Sequence, residues 1–214
     1  MTACAILALT LSMEPHALPD ARMADVTLRL RFTNACPIDV QIYPATAQMD
    51  SVAGWESTQW HVQVMKPKSI HLQALRTWYG PPDEPPGENH YLENMLTVAA
   101  GGNVESEIRA CWIPNRLLKP ESLARETLDP EGMDKLEFAT KEASVLILNQ
   151  DCAEVRKRQA ASPTDFLRPG VLLFVPPTRL IEFSVGYSQK KWVGFSPAHE
   201  LNLKSNSVEV KIGH

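Results

Sequence analysis

The chain has 214 residues, 44% of them hydrophobic, with 21 Lys and Arg against 25 Asp and Glu for a formal net charge of −4. That apolar share is ample for a sizeable core, while the mixed signs provide no basic field for neutralising phosphates, so neither the disordered nor the nucleic-acid-binding class fits. The proportions of Pro (17) and Gly (10) indicate many short extended segments with stiff connections, and no run reaches the ~18 apolar residues a membrane-spanning helix requires.

In chain order, Leu7, Leu9, Leu11 and Met13 alternate with Ala8, Thr10, Ser12 and Glu14, a period of two that predicts a first strand. Met1 to Met13 is apolar, but no Lys or Arg precedes it as in the charged start of a secretory signal. The expectation is therefore a cytoplasmic protein; the alternative is an exported one whose leader lies outside this sequence. After a connection over Pro15 to Ala24 comes Asp25 to Pro44, around which the remainder is organised. Val26, Leu28, Leu30 and Phe32 alternate with Thr27, Arg29, Arg31 and Thr33. Asn34-Ala35-Cys36-Pro37 breaks the run and Asp39-Val40-Gln41-Ile42 resumes it, predicting two half-buried strands joined by a short turn.

A loop around Gly54-Trp55 leads to Trp60, Val62 and Val64. Beyond Lys66-Pro67-Lys68, Ile70, Leu72 and Ala74 alternate in turn, and a second hairpin is expected here. Gly80 to Gly87, GPPDEPPG, is a stiff loop because proline fixes φ and removes donors, and it runs on to Asn89-His90-Tyr91. Met95–Ala100, Gly101-Gly102-Asn103 and Val104–Ile113 predict strand, turn and strand. Pro120 to Glu126 predicts a short helix, closed by Pro130 and Gly132. Strands are expected over Lys135–Phe138 and over Ala143–Leu148, the latter nearly all apolar and so expected to be central. A helical turn follows over Ala153–Gln159, and further strands over Val171–Val175, Ile181–Tyr187, Leu201–Leu203 and Val208–Ile212.

About a dozen short strands with one or two helical turns predict an all-β fold, an antiparallel sandwich forming a single domain over residues 1–214 with an elaborated middle at about 80–134. The succession LALTLSMEP, DVTLRLRFTN, DVQIYP, LTVAAGGNVESEI and LRPGVLLF resembles bacterial immunoglobulin-like modules of the proteinase-inhibitor and cell-adhesion type. Phe32-Thr33-Asn34 and Arg168-Pro169-Gly170 carry most of the likeness, and Gly101-Gly102 departs from it, standing where that family commonly has Pro-Gly. The resemblance implies an immunoglobulin-like sandwich and leaves the activity open.

The residues with chemical potential were weighed singly. Paired as a hairpin, the second strand pair would make His61 and His71 diagonal neighbours, with His90 as a third metal ligand; two solvated strand-face histidines are the simpler account, and no metal or cofactor is expected. His199-Glu200 lacks the second His of a zincin motif. Gly194-Phe195-Ser196-Pro197 places proline where a serine hydrolase needs a backbone N–H. The four scattered cysteines, Cys4, Cys36, Cys111 and Cys152, are expected to be reduced and buried, with a Cys36–Cys111 bridge as the alternative in an exported protein. Arg156-Lys157-Arg158 is expected to be a solvated surface.

Aromatic residues form the stronger lead. Trp60 and Trp112 are expected to fill the core, whereas Trp55, Trp78, Tyr79, His90 and Tyr91 are the candidate partner-binding residues. The leading expectation is a non-enzymatic protein-interaction module. Alternatives are a carbohydrate-binding or enzyme-associated accessory domain using the same rings, and a metal-dependent or hydrolytic enzyme assembled from residues distant in sequence.

Overall fold

The computed structural model describes residues 7–42, 58–66, 96–119, 143–148, 150–163, 172–175, 177–189 and 201–213. These residues hold strands β1 (Ala8–Glu14), β2 (Ala17–Leu18), β3 (Ala24–Thr33), β4 (Val40–Ile42), β5 (Thr58–Lys66), β6 (Leu96–Val98), β7 (Asn103–Ile113), β8 (Ser144–Leu148), β9 (Leu172–Val175), β10 (Leu180–Gln189), β11 (Leu201–Lys204) and β12 (Val208–Ile212). Helix α1 (Cys152–Ala161) and a 3-10 turn over Asn115–Leu117 complete them. The fold is all-β, as the alternating pattern requires.

Three sheets form. The first has the order β1-β3-β7-β8-β9, every neighbour antiparallel. The second is centred on β10, with β5 along one edge and β11 and β12 in succession along the other. Ser205 keeps that ladder going between β11 and β12: its N–H donates to the Val185 carbonyl at 2.8 Å and its Oγ accepts from the Val185 N–H at 2.9 Å. β2 adds to β12 in parallel, and β4 pairs with β6 as a small third sheet.

Leu28, Leu30 and Phe32 of β3, Ile108 and Trp112 of β7, and Phe183, Val185 and Tyr187 of β10 bury into one core shared by the two large sheets. The Phe32 and Tyr187 rings meet edge to face across it, centroids 5.4 Å apart and planes at 78°, the geometry aromatic quadrupoles favour. Trp112 is fully buried, as expected, and its indole N–H donates to the Pro19 carbonyl at 2.8 Å. The sheets are also tied at their edges. The Asn206 side chain accepts from the Leu11 N–H at 2.8 Å and donates to the Leu11 carbonyl at 3.0 Å, so a residue from the β11–β12 break caps the outer edge of β1.

Several expectations of pairing and linkage are corrected. β3 and β4 do not form a hairpin: β3 lies between β1 and β7, and β4 joins β6. The reason is Asn34, fully buried at the end of β3. Its Nδ2 donates to the carbonyls of Ile38 (2.7 Å), Val98 (3.1 Å) and Ala99 (3.2 Å), and its Oδ1 accepts from the Cys36 N–H at 3.0 Å. A side chain bonded in this way directs the chain out to the β6–β7 turn rather than back along β3. That turn is the expected one, with Gly102 N–H donating to Ala99 O at 2.8 Å and Gly101 at φ 69°.

β5 pairs with β10, Trp60 opposite Tyr187 and His61 opposite Gly186. The second strand of the expected hairpin, residues 70–74, lies outside the described residues, as do the expected elements over 120–126 and 135–138. β8 is flanked on both sides, by β7 and β9, matching its unbroken apolar run. β2, inside the expected connection over Pro15 to Ala24, is too short to leave a pattern.

Candidate functional site

The outer face of the first sheet is divided. Towards one end, side chains pair in register: Arg31 Nε donates to Glu105 at 2.8 Å, and Arg29 reaches Glu107 at 3.0 Å and Glu14 at 3.2 Å. Arg31 stands directly opposite Glu105 and Arg29 opposite Glu107, so the strand register itself creates the pairs. The Arg29 guanidinium is held above its ordinary value, chiefly by its hydrogen bond to Glu107 and then by the charge of Glu14.

Towards the other end the same face is apolar and covered. Cys111 and Ile113 of β7, Val145 and Ile147 of β8, and Cys152 and Val155 of α1 form a second buried cluster together with Met23 and Leu118. Cys111 is disulfide-bonded to Cys152, which fastens the first turn of α1 to β7. Two carboxylates bind the helix start: Asp25 accepts from the Cys152 N–H at 2.6 Å, and Asp151 from the Glu154 N–H at 2.8 Å, satisfying N–H groups that a helix leaves open.

The expectation of reduced cysteines is therefore overturned, as is the alternative Cys36–Cys111 pairing. Cys36 is itself disulfide-bonded, its partner lying outside the described residues. Cysteines 41 positions apart in sequence meet here because α1 folds back over β7, which spacing alone does not reveal. The basic run is also more than a solvated face. Arg156 donates to the Met23 carbonyl at 3.3 Å, while Arg158 bonds Gln150 and pairs with Glu154 at 3.7 Å.

A cleft of about 820 Å³ opens where the ends of the two large sheets meet, lined by Asp20, Pro114, Asn115, Arg116, Ser144, Pro177, Thr178, Arg179, Lys211, Ile212 and Gly213. The first sheet supplies the 3-10 turn after β7 and the start of β8. Asn115 fixes that wall: its N–H donates to Ser144 Oγ at 3.0 Å and its Nδ2 to the Ala143 carbonyl at 2.9 Å, placing Arg116 beside them. The second sheet supplies Arg179, Lys211 and Ile212, where the Ile212 N–H donates to the Arg179 carbonyl at 2.9 Å and Lys211 stands opposite Leu180.

Arg116, Arg179 and Lys211 are exposed. The ion pairs among the described residues belong to Arg29, Arg31 and Arg158, and the three cleft cations enter none of them. Asp20, the one carboxylate of the lining, is engaged in a contact of its own. No group of three or more His, Cys, Asp or Glu side chains spaced for a metal occurs among the described residues, and no described helix is long and apolar enough to cross a membrane.

Trp55, Trp78, Tyr79, His90 and Tyr91, the candidate partner-binding residues, lie outside the described residues, as do His71, Ser196 and His199. None of the cleft residues was singled out from the sequence. Each is an ordinary polar or basic residue beside a strand end, and only the Pro177-Thr178 turn carries a local signal. No protein-family model, characterised protein or solved structure matches the chain.

Proposed function

We propose that the protein is a non-enzymatic interaction module, a single immunoglobulin-like sandwich that binds a protein partner in an oxidising compartment. The observation that carries this reading is the state of the outer face of the first sheet. Half of that face is neutralised by pairs such as Arg31–Glu105, and half is covered by α1. The segments joining strands are the usual seat of recognition on a rigid β scaffold. Residues 43–57 and 67–95 of the sequence contain Trp55, Trp78, Tyr79, His90 and Tyr91, residue types that anchor interfaces.

Export is supported by the cysteines. Cys36, Cys111 and Cys152 are all disulfide-bonded, and disulfides persist outside the reducing cytosol. The cytoplasmic expectation gives way to its alternative on this ground.

The test is a pull-down with the purified, oxidised protein against extracts of its source. Trp78→Ala with Tyr79→Ala should lose the partner that the parent chain retains; retention of that partner by the double variant refutes the site.

A further inference from the structure

We propose that the cleft between the sheet ends is a carboxylate-binding site that takes an acidic segment of a polypeptide. The choice of a polypeptide rests on the interaction-module reading; the choice of a carboxylate rests on the cleft. Its charged donors are the side chains of Arg116, Arg179 and Lys211, exposed and outside every ion pair of the described residues. Arg29 and Arg31, by contrast, each meet a glutamate across the strands. Three cations left unneutralised around one concavity of an acidic chain mark a place where the negative charge comes from another molecule.

The lining selects among anions. A phosphate cradle is built from converging backbone N–H groups, and three of those in the lining are already used. Lys211 N–H donates to His16 O at 3.1 Å, Ile212 N–H to Arg179 O at 2.9 Å and Gly213 N–H to Leu18 O at 3.1 Å. Thr178 is committed as well, its Oγ1 bonding both N–H and carbonyl of Leu180, and Ser144 Oγ accepts from Asn115 N–H at 3.0 Å. Two guanidinium forks and an ammonium remain, and the planar fork matches a carboxylate through two parallel hydrogen bonds.

Pro114, Pro177 and Ile212 add apolar wall on which a peptide's aliphatic parts can lie. A volume of about 820 Å³ is the size of sites that enclose small organic ligands rather than a bare ion. A nucleic acid is disfavoured because it needs an extended cationic track, whereas the chain carries 25 Asp and Glu against 21 Lys and Arg.

The experiment is fluorescence anisotropy with a fluorescein-labelled oligoglutamate peptide on the intact oxidised chain. Oligoglutamine serves as the neutral control, and inorganic phosphate and a short DNA oligonucleotide as competitors. Oligoglutamate should bind, oligoglutamine should not, and added NaCl should weaken the binding. Arg116→Gln, Arg179→Gln and Lys211→Gln together should weaken it at least about tenfold, while melting with the parent because none of the three is buried or paired; if the triple variant melts early, the three single variants carry the same test. Free-acid peptide binding better than its amidated form assigns the site to a chain terminus, and equal binding assigns it to side-chain carboxylates; both support the inference. Equal binding of oligoglutamine, an unchanged affinity in the cleft variants, or complete displacement by phosphate or DNA at matched charge overturns it. Trp78→Ala with Tyr79→Ala should leave the peptide affinity unchanged. If that double variant loses the natural partner while oligoglutamate never binds, the cleft inference fails and the interaction reading stands. If oligoglutamate binds through the cleft but no protein partner is found that depends on either region, the interaction reading fails instead.

Discussion

The two halves of one sheet face show how the same backbone serves different ends. Near Thr10, Arg31 and Glu105 the outer side of β1, β3 and β7 is open to water, and its charges pair across strands. Near Cys111, Val145 and Ile147 the outer side of the same ladder is dry, roofed by α1 and closed by a disulfide. The open half helps hold its strands in register while contributing little free energy, since exposed ion pairs gain little in water. The covered half is a second hydrophobic core, where burial and cross-linking act on stability directly.

This contrast predicts a graded series of losses measurable by chemical denaturation. Ile147→Ala, in the covered half, should cost about 2–5 kcal/mol, the range for emptying a well-packed aliphatic site. A loss within the range of a surface substitution would mean that α1 does not pack where it is described. Breaking the Cys111–Cys152 link by Cys152→Ala should cost about 2–4 kcal/mol through the freed loop of the unfolded chain. Asp25→Ala, which removes the acceptor of the Cys152 N–H, should cost about 1 kcal/mol. Asp25→Asn should recover part of that loss, because the acceptor oxygen is kept.

In the open half, Glu105→Gln should cost under about 1 kcal/mol, and less still at high salt. The pH dependence there has a definite sign. The Arg29 pKa is raised above its ordinary value in the folded chain, so its contribution is fully present below the unfolded value and is lost only as pH rises through the higher folded one. Titration over ordinary working pH should therefore show no stability step from Arg29.

How far the sequence foretold this division follows from the physics of each signal. Alternation marked β1, β3, β7 and β10 because each has one wet or polar side, and the unbroken apolar run at Val145–Leu148 marked β8 as central. The same reasoning extends to Cys111-Trp112-Ile113, where alternation stops because both faces are buried; an apolar stretch at the end of an otherwise alternating strand is the trace that a covering layer leaves. Partners were not legible. Asn34 looked like a turn residue between two pairing strands, yet its buried amide serves carbonyls of Val98 and Ala99, more than sixty positions away. The disulfide could not be read because the fold, not the spacing, brings Cys111 to Cys152. The cleft could not be read because its walls come from five separate stretches, each contributing one or a few commonplace residues.

α1 fastened over β7 closes half of the strand face, and the proposal of an oxidising compartment stands on the same disulfide. Peptide mapping by mass spectrometry of non-reduced protein, alkylated under denaturing conditions before digestion, tests it most directly. The account predicts a cross-linked fragment pair joining the peptide that contains Cys111 to the one that contains Cys152, with neither cysteine alkylated. Alkylated Cys111 and Cys152 in protein isolated from its natural source, or a fragment joining Cys111 to any other cysteine, would contradict it.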